Sequence, residues 1–238
     1  EYPRPQMVRD AFLNLNGTWD FSFDFSNSGI DRKYQLEENF ERTITVPFCP
    51  ESKLSGIGFT DFIPALWYKR TFTLPEEALN GHVLLHFGAV DYRCKVWVND
   101  VECGGHQGGY TSFAIDITEA AKAGENKVVL WAEDDGRSCT QPRGKQSSKY
   151  YSHGCDYTRT TGIWQTVWIE WVPSTYIDSY RVIPDRRNGK VTLKASIKGC
   201  TKNAVLTASA SFDGKEAGVS AVKAGPCTIL ELPLSVVE

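Results

Sequence analysis

Apolar residues in this chain recur at every second position, and that period restricts the fold more than any other feature. In "TWDFSFDFS" (18–26), Trp19, Phe21, Phe23 and Phe25 fall on one face, and Asp20, Ser22 and Asp24 on the other. A helix of period 3.6 would smear that pattern around its circumference, whereas a half-buried strand keeps it. "RTITV", "WYKRTFTL", "HVLLHFG", "CKVWVND", "SFAIDI" and "KVVLWAE" follow in the same style. Asn99-Asp100 marks a tight hairpin turn before "VEC". Only "LPEEALNG", with Pro75 opening and Gly81 closing it, and "DITEAAKAG", with Thr118 as cap and Gly124 as stop, suggest short helical turns. Many short strands divided by turn signals specify an all-β sandwich or jelly roll.

The 238 residues suffice for one large β domain or two smaller ones. A net charge of −3 gives no basic surplus for nucleic acid, and no apolar run reaches the roughly 18 residues that span a membrane. The seven cysteines are odd in number and irregularly spaced, with no CxxC, which argues against a zinc ribbon. Scattered thiols suit a reducing compartment, so a cytoplasmic location is expected.

A domain boundary is expected after Pro173. All seven tryptophans precede it, whereas 174–238 holds about five plain, small-residue strands. An immunoglobulin-like sandwich takes about seven strands and about 100 residues. The expectation is therefore a sandwich domain over 1–173 and an incomplete immunoglobulin-like sandwich over 174–238. Its open strand edges would favour self-association.

"DYTRTTGIWQTVWIEWVP" (156–173) raises a sharper question. Ile163, Val167, Ile169 and Trp171 lie on one side of the run, and Trp164, Trp168 and Glu170 on the other. Both faces carry large groups, so each needs a cover. The run is fed by a loop, 133–162, whose roughly 28 central residues have no apolar period. They hold Tyr150, Tyr151, Tyr157 and His153 beside Asp134, Asp135, Asp156, Arg137, Arg143, Lys145 and Arg159. Aromatic faces that stack on sugar rings and charged groups that bond hydroxyls have this composition, but so does a solvated surface loop.

"LNGTWDFSFD", "ALWYKRTFTLP", "VLLHFGAVDYRCKVWVNDVECGGHQGGYTSFAIDIT" and "DYTRTTGIWQTVWIEWVP", in this order, resemble the amino-terminal region of glycoside hydrolase family 2. That family includes β-galactosidases, β-glucuronidases and β-mannosidases. The resemblance implies a galactose-binding-like jelly roll followed by an immunoglobulin-like domain. It also implies a missing carboxy-terminal TIM barrel with both catalytic glutamates, and a β-linked oligosaccharide or glycoside as substrate. "QPRGKQ" before "DYTRTTGIW" looks most like β-galactosidase-type members. In such enzymes an aspartate three residues before an Arg or Asn and six before Gly-Ile contacts sugar hydroxyls. Asp156, Arg159 and Gly162-Ile163 match that pattern. The resemblance thus implies Asp156 and Arg159 as the sugar-side residues, with Arg159 bracing the loop and a cation beside Asp156 in the full enzyme. It also implies a homo-oligomer, since family members often assemble.

No catalytic residues or metal ligands are identified in the chain itself. Hydrolysis with retention needs two carboxyl groups about 5–5.5 Å apart, and the family's acid/base glutamate follows an Asn, a dipeptide absent here. Asp134 and Asp135 are adjacent at a strand end and point opposite ways. His82 and His86 fall on a strand, and His106 within "GGHQGGY" in a glycine-rich turn. The expectation is the inactive leading part of a retaining β-glycosidase that requires no cofactor. A stand-alone carbohydrate-binding or structural β-sandwich module is the alternative.

Overall fold

The computed structural model describes residues 2–235. The chain separates into two compact units, 1–171 and 172–238. Among the described residues all regular structure is strand, apart from four short 3-10 turns.

The first unit contains strands β1 (Phe12–Asn14), β2 (Gly17–Phe23), β3 (Arg42–Val46), β4 (Ala65–Leu74), β5 (His82–Phe87), β6 (Val90–Asp91), β7 (Arg93–Val98), β8 (Val101–Gln107), β9 (Phe113–Asp116), β10 (Gly124–Glu133), β11 (Gly162–Ile163) and β12 (Val167–Val172). They form a six-stranded sheet in the order β3-β2-β4-β10-β7-β8 and a four-stranded sheet in the order β1-β12-β5-β9, while β6 and β11 form a short pair. The long pairing of β4 with β10 runs from Leu74 opposite Gly124 to Ala65 opposite Glu133. Trp19, Phe21, Leu66, Tyr68, Val96 and Leu130 of the larger sheet meet Leu85, Phe87, Ile115, Val167 and Ile169 of the smaller one in a single core. This is a β-sandwich, as the period of two requires.

The outer face of the larger sheet is also dry. Ala65, Trp67, Trp97, Val129 and Trp131 form a second cluster there, covered by Ile30, Tyr34 and Phe40. The covering segment is held by Asp24, which leaves the solvated face expected for it. Its carboxylate is buried and accepts from Ser28 N (3.0 Å), Gly29 N (2.8 Å) and Trp67 Nε1 (3.2 Å). A Cβ at Gly29 would lie 2.5 Å from Trp67 Nε1, so only glycine lets the segment approach this closely. Phe25, expected on the core face, lies past the end of β2 and is exposed, stacked on Phe23 with centroids 5.0 Å apart.

The two-faced run 163–171 finds both its covers. Ile163, Val167 and Ile169 enter the core. On the other face Trp168 lies flat on His86, with centroids 4.8 Å apart, and Glu170 is wholly buried. Glu170 accepts hydrogen bonds from Arg4 Nη2 (2.9 and 3.1 Å), Arg9 Nε (2.8 Å), Trp168 Nε1 (2.9 Å) and the Tyr2 hydroxyl. The cover is therefore the chain's own residues 2–11, strapped down by one carboxylate. Burial opposes the charge, but His86, Tyr2 and Trp168 outweigh it and hold this carboxyl well below its ordinary range.

Asn99 and Asp100 turn β7 into β8 with φ of 49° and 68°, the mirror-image hairpin geometry expected of them. "LPEEALNG" forms a 3-10 turn over Glu76–Asn80. "DITEAAKAG" forms a single turn, closed by Ala120 N (3.0 Å) and Ala121 N (2.9 Å) on Ile117 O, that goes no further. The Thr118 hydroxyl that would cap it instead accepts from Val83 N (2.9 Å), and the Asn126 side chain bonds Lys122 N and O before β10 begins. His106 lies in β8, stacked on Phe113, and not in a turn. Gly105 is required there because a Cβ would lie 2.3 Å from Cys94 O.

The second unit holds β13 (Tyr176–Asp185), β14 (Lys190–Lys198), β15 (Val205–Phe212), β16 (Lys215–Lys223) and β17 (Cys227–Pro233). β13-β14-β17 form one sheet and β15-β16 a hairpin, around Ala195, Ile197, Leu206, Leu230 and Leu232. An apolar cavity of about 440 Å³ opens between them, lined by Tyr180, Val182, Leu193 and Leu206 among others.

Candidate functional site

The residues from the end of β10 to the start of β11 run without regular strand for 28 positions, 134–161, yet they are ordered by their own hydrogen bonds. Ser147 N donates to Tyr157 O, and Tyr157 N donates to Lys145 O, both at 2.7 Å. His153 and Asp156 exchange backbone bonds in both directions, at 3.1 and 2.8 Å, around Gly154 with φ of +56°. A small polar core results, with the Ser147 side chain at its centre.

Arg159 lies inside this loop, 3% exposed. Its guanidinium donates to Ser147 O (3.0 Å), Lys149 O (2.5 Å) and Thr60 O. It also stacks on Phe62, which is held between Arg159 at 4.0 Å and Arg137 at 3.7 Å from the ring centroid. Tyr150 meets the edge of Phe62 and accepts a hydrogen bond from Arg137 Nη2. A planar guanidinium can stack and bond within its own plane at once, which a lysine could not do. Arg159 thus clamps the loop to the sandwich.

Asp156 sits at the loop's surface, its side chain 24% exposed, with Oδ2 3.8 Å from His153 Nε2. Tyr150, Tyr151 and Tyr157 are each more than 60% exposed. The structure thus brings an accessible carboxylate and three open tyrosine rings to one loop, and sets Arg159 beneath it. Among the described residues no three His, Cys, Asp or Glu side chains form a metal site, so Asp156 alone would offer a cation one carboxylate. Asp134 and Asp135 do not act as a pair. Asp134 is buried and bonded to Gln141 Nε2 (2.6 Å), while Asp135 is exposed and accepts from Arg137 N (3.3 Å).

Three buried carboxyl groups that sequence reasoning did not single out as a set fasten the loop's two ends. Thr161 is gripped from both sides, its N–H by Glu51 Oε2 (3.2 Å) and its hydroxyl by Asp134 Oδ2 (3.4 Å). Asp91 Oδ2 accepts from Gln146 Nε2 (2.7 Å), and Gln146 Oε1 in turn accepts from Thr160 N (2.7 Å). A Cβ at Gly109 would lie 2.1 Å from Asp91 Oδ1, so glycine is obligatory at that point. Burial, with the charge of Asp134 added, raises Asp91 to about 7. Burial raises Glu51 to about 7 and Asp134 to about 6. Asp91 Oδ1 and Glu51 Oε1 have no hydrogen-bond partner among the described residues. A buried carboxyl with one oxygen lacking a donor holds its proton to higher pH, since the ionised form loses hydration that is only partly compensated.

The description "Glycosyl hydrolases family 2, sugar binding domain" matches residues 12–173. Among curated relatives, a β-glucuronidase of Paenibacillus borealis is 30% identical over 60% of this chain and 24% of its own length. The human β-glucuronidase is 27% identical over 83% of this chain and 34% of its own. A β-galactosidase of Thermoanaerobacter pseudethanolicus is 28% identical over 78% of this chain and 24% of its own. The chain thus spans about a third or less of the length of these curated relatives. A β-glucuronidase from Ruminococcus gnavus, solved with D-glucuronic acid, superposes with a TM-score of 0.74 at 21% identity, covering 100% of this chain and 42% of that one.

Proposed function

The chain belongs to glycosyl hydrolase family 2, and on that premise we propose that it is the non-catalytic amino-terminal part of a retaining β-glycosidase acting on terminal β-linked sugars. The observation that carries this reading is the ordered loop 134–161, which presents the Asp156 carboxylate at the surface of a sandwich matched along its whole length to the family's sugar-binding domain. The loop's tyrosines would stack on sugar faces, and Asp156 would accept hydrogen bonds from sugar hydroxyls. Arg159 would act on the sugar through Asp156, by fixing the loop's course. The hydrolytic carboxyl pair would come from a TIM barrel outside this chain, and so would further ligands for any cation held at Asp156. The five strands of the second unit would be part of an immunoglobulin-like sandwich. Seven unpaired thiols support a cytoplasmic setting.

β-Glucuronidases outnumber β-galactosidases among the relatives named above, which favours a β-glucuronide over a β-galactoside as substrate. The test is hydrolysis of nitrophenyl β-glucuronide and nitrophenyl β-galactoside by this chain joined to its catalytic remainder. A kcat/KM at least tenfold higher for the glucuronide is expected. The reverse preference would restore the galactosidase reading, and hydrolysis of neither would contradict the glycosidase assignment.

A further inference from the structure

A trough runs over the outer face of the larger sheet, beside the segment that covers its tryptophans. Along one row Trp131 of β10 pairs with Lys95 of β7, and Lys95 with Gly105 of β8. In the next row on the same face Glu133 pairs with Arg93, and Arg93 with Gln107. The first row ends on a glycine and leaves a gap, whereas the second is filled to the edge strand. A cavity of about 460 Å³ lies over the first row, with Ile30 of the covering segment on its rim. Another of about 240 Å³ adjoins it through Arg93 and Gln107 and reaches Ser138, Thr140 and Gln141 at the start of loop 134–161. Small-molecule sites have this size.

The lining pairs its own charges. Arg93 donates to Glu133 Oε2, and Lys95 Nζ lies 3.2 Å from Glu102 Oε1. With Asp135 also present, an anion entering the trough would meet three carboxylates against two cations. What the pairs leave over is hydrogen-bonding capacity. One of the five N–H groups of Arg93 is committed to Glu133, and Gln107 Nε2 donates to the Tyr92 hydroxyl (3.3 Å), which frees Gln107 Oε1 to accept. Donors and acceptors interleaved in this way suit hydroxyls, which do both. One further donor stands in the wall. Trp131 is 3% exposed, and its Nε1–H has no hydrogen-bond partner among the described residues. Buried polar groups are rarely left in that state. The Arg93 guanidinium lies 5.6 Å from the centroid of that indole, on a side chain 54% exposed and so free to turn.

We propose that this trough is a binding groove for a neutral oligosaccharide, with one sugar in each of the two adjoining cavities. Arg93 turns off the indole on binding, and a sugar oxygen then accepts from Trp131 Nε1–H. Arg93 and Glu133, held side by side, donate to and accept from neighbouring hydroxyls, and Gln107 Oε1 accepts from a hydroxyl of the second sugar. Glu102, Glu133 and Asp135 select against a sugar that carries a carboxylate. The groove uses no residue of 153–157, so it goes beyond the reading of Asp156 and stands or falls separately from it.

The seven tryptophans each give one indole N–H resonance in proton–nitrogen NMR, and Trp131→Phe assigns that of Trp131. Cellobiose, lactose and methyl β-glucuronide are titrated into the full chain. The expected result is a saturable displacement of the Trp131 resonance by at least one of the two neutral disaccharides, with weaker binding of the glucuronide. In Arg93→Ala the affinity should fall about tenfold, the loss of one charged hydrogen bond. Arg93 is exposed, so this variant keeps the fold, and the indole resonances of the other tryptophans verify it. A Trp131 resonance that neither disaccharide moves, an unchanged affinity in folded Arg93→Ala, or tighter binding of methyl β-glucuronide at Trp131 overturns the groove. Backbone amides at 153–157, followed in the same titrations, report on Asp156. Shifts there beside an unmoved Trp131 uphold the Asp156 reading and overturn the groove. A displaced Trp131 beside unmoved amides at 153–157 upholds the groove and counts against Asp156.

Discussion

Replacing Asp91 by Asn should stabilise the first unit at pH 8 and remove much of its pH dependence. Asp91 is 1% exposed, and its nearest charged neighbours are carboxyls, so its folded-state value rises from 3.8 to about 7. A carboxyl raised in this way holds its proton in the folded state after the unfolded chain has released its own. Its contribution is complete below about pH 4, declines as pH rises and is gone above about pH 7. At 1.36 kcal/mol per unit the ceiling is about 4 kcal/mol. Asp134 and Glu51 titrate in the same cluster and share the effect, so about 2 kcal/mol is expected for Asp91 alone. The Asn carbonyl can still accept from Gln146 Nε2, which preserves the link to Thr160. The assay is urea unfolding followed by tryptophan fluorescence at pH 5, 6.5 and 8, which reports on the first unit because all seven tryptophans precede Pro173. Wild type should lose about 2–3 kcal/mol between pH 5 and pH 8, and Asp91→Asn about half as much. A wild type equally stable at the two ends, or an Asn variant weaker than wild type at pH 8, would refute this account of the cluster.

Glu170→Gln should cost about 3 kcal/mol, because it removes the buried carboxylate that pairs with Arg4 and Arg9. Limited proteolysis should then cut within residues 2–11, and wild type should show the same loss in acid, since a carboxyl held below its usual 4.5 contributes above that value and stops contributing as pH falls. Gly162→Ala should lower stability by about 3 kcal/mol in urea titrations, because φ is +72° and the new Cβ would lie 2.6 Å from Tyr68 Oη. The isolated chain should give no turnover of nitrophenyl β-glycosides, and turnover abolished by changing one of its own carboxyls would contradict that.

How much of this was legible in the sequence depends on the range of the interaction. The strands were legible because alternation is local, as was the Asn99-Asp100 hairpin, whose residue types tolerate positive φ. The cover over Trp168 and Glu170 was not, since Arg4 and Arg9 lie more than 160 residues from their partner. The short turn expected at "DITEAAKAG" was legible, closed by Ala120 N and Ala121 N on Ile117 O, but the hydroxyl of Thr118, read as its cap, serves Val83 N on a neighbouring strand instead. Asp24 was read on a polar strand face and Asp134 in a polar loop, and nothing local singled out Glu51 or Asp91, yet each of the four is buried to hold a turn or a loop end. The motif around Asp156 and Arg159 was visible as spacing. Spacing carried no sign that Arg159 would be buried among backbone carbonyls, or that His153 would face the carboxylate.

The most direct measurement is kcat/KM for a nitrophenyl β-glucuronide with this chain joined to its catalytic remainder, as wild type and as Asp156→Ala. A carboxylate that accepts sugar hydroxyls contributes about 1.5–3 kcal/mol, so the variant should fall roughly tenfold to a hundredfold with its thermal stability unchanged. An Asp156→Ala enzyme that folds normally and keeps wild-type kcat/KM would contradict the assignment of loop 134–161 to the sugar site.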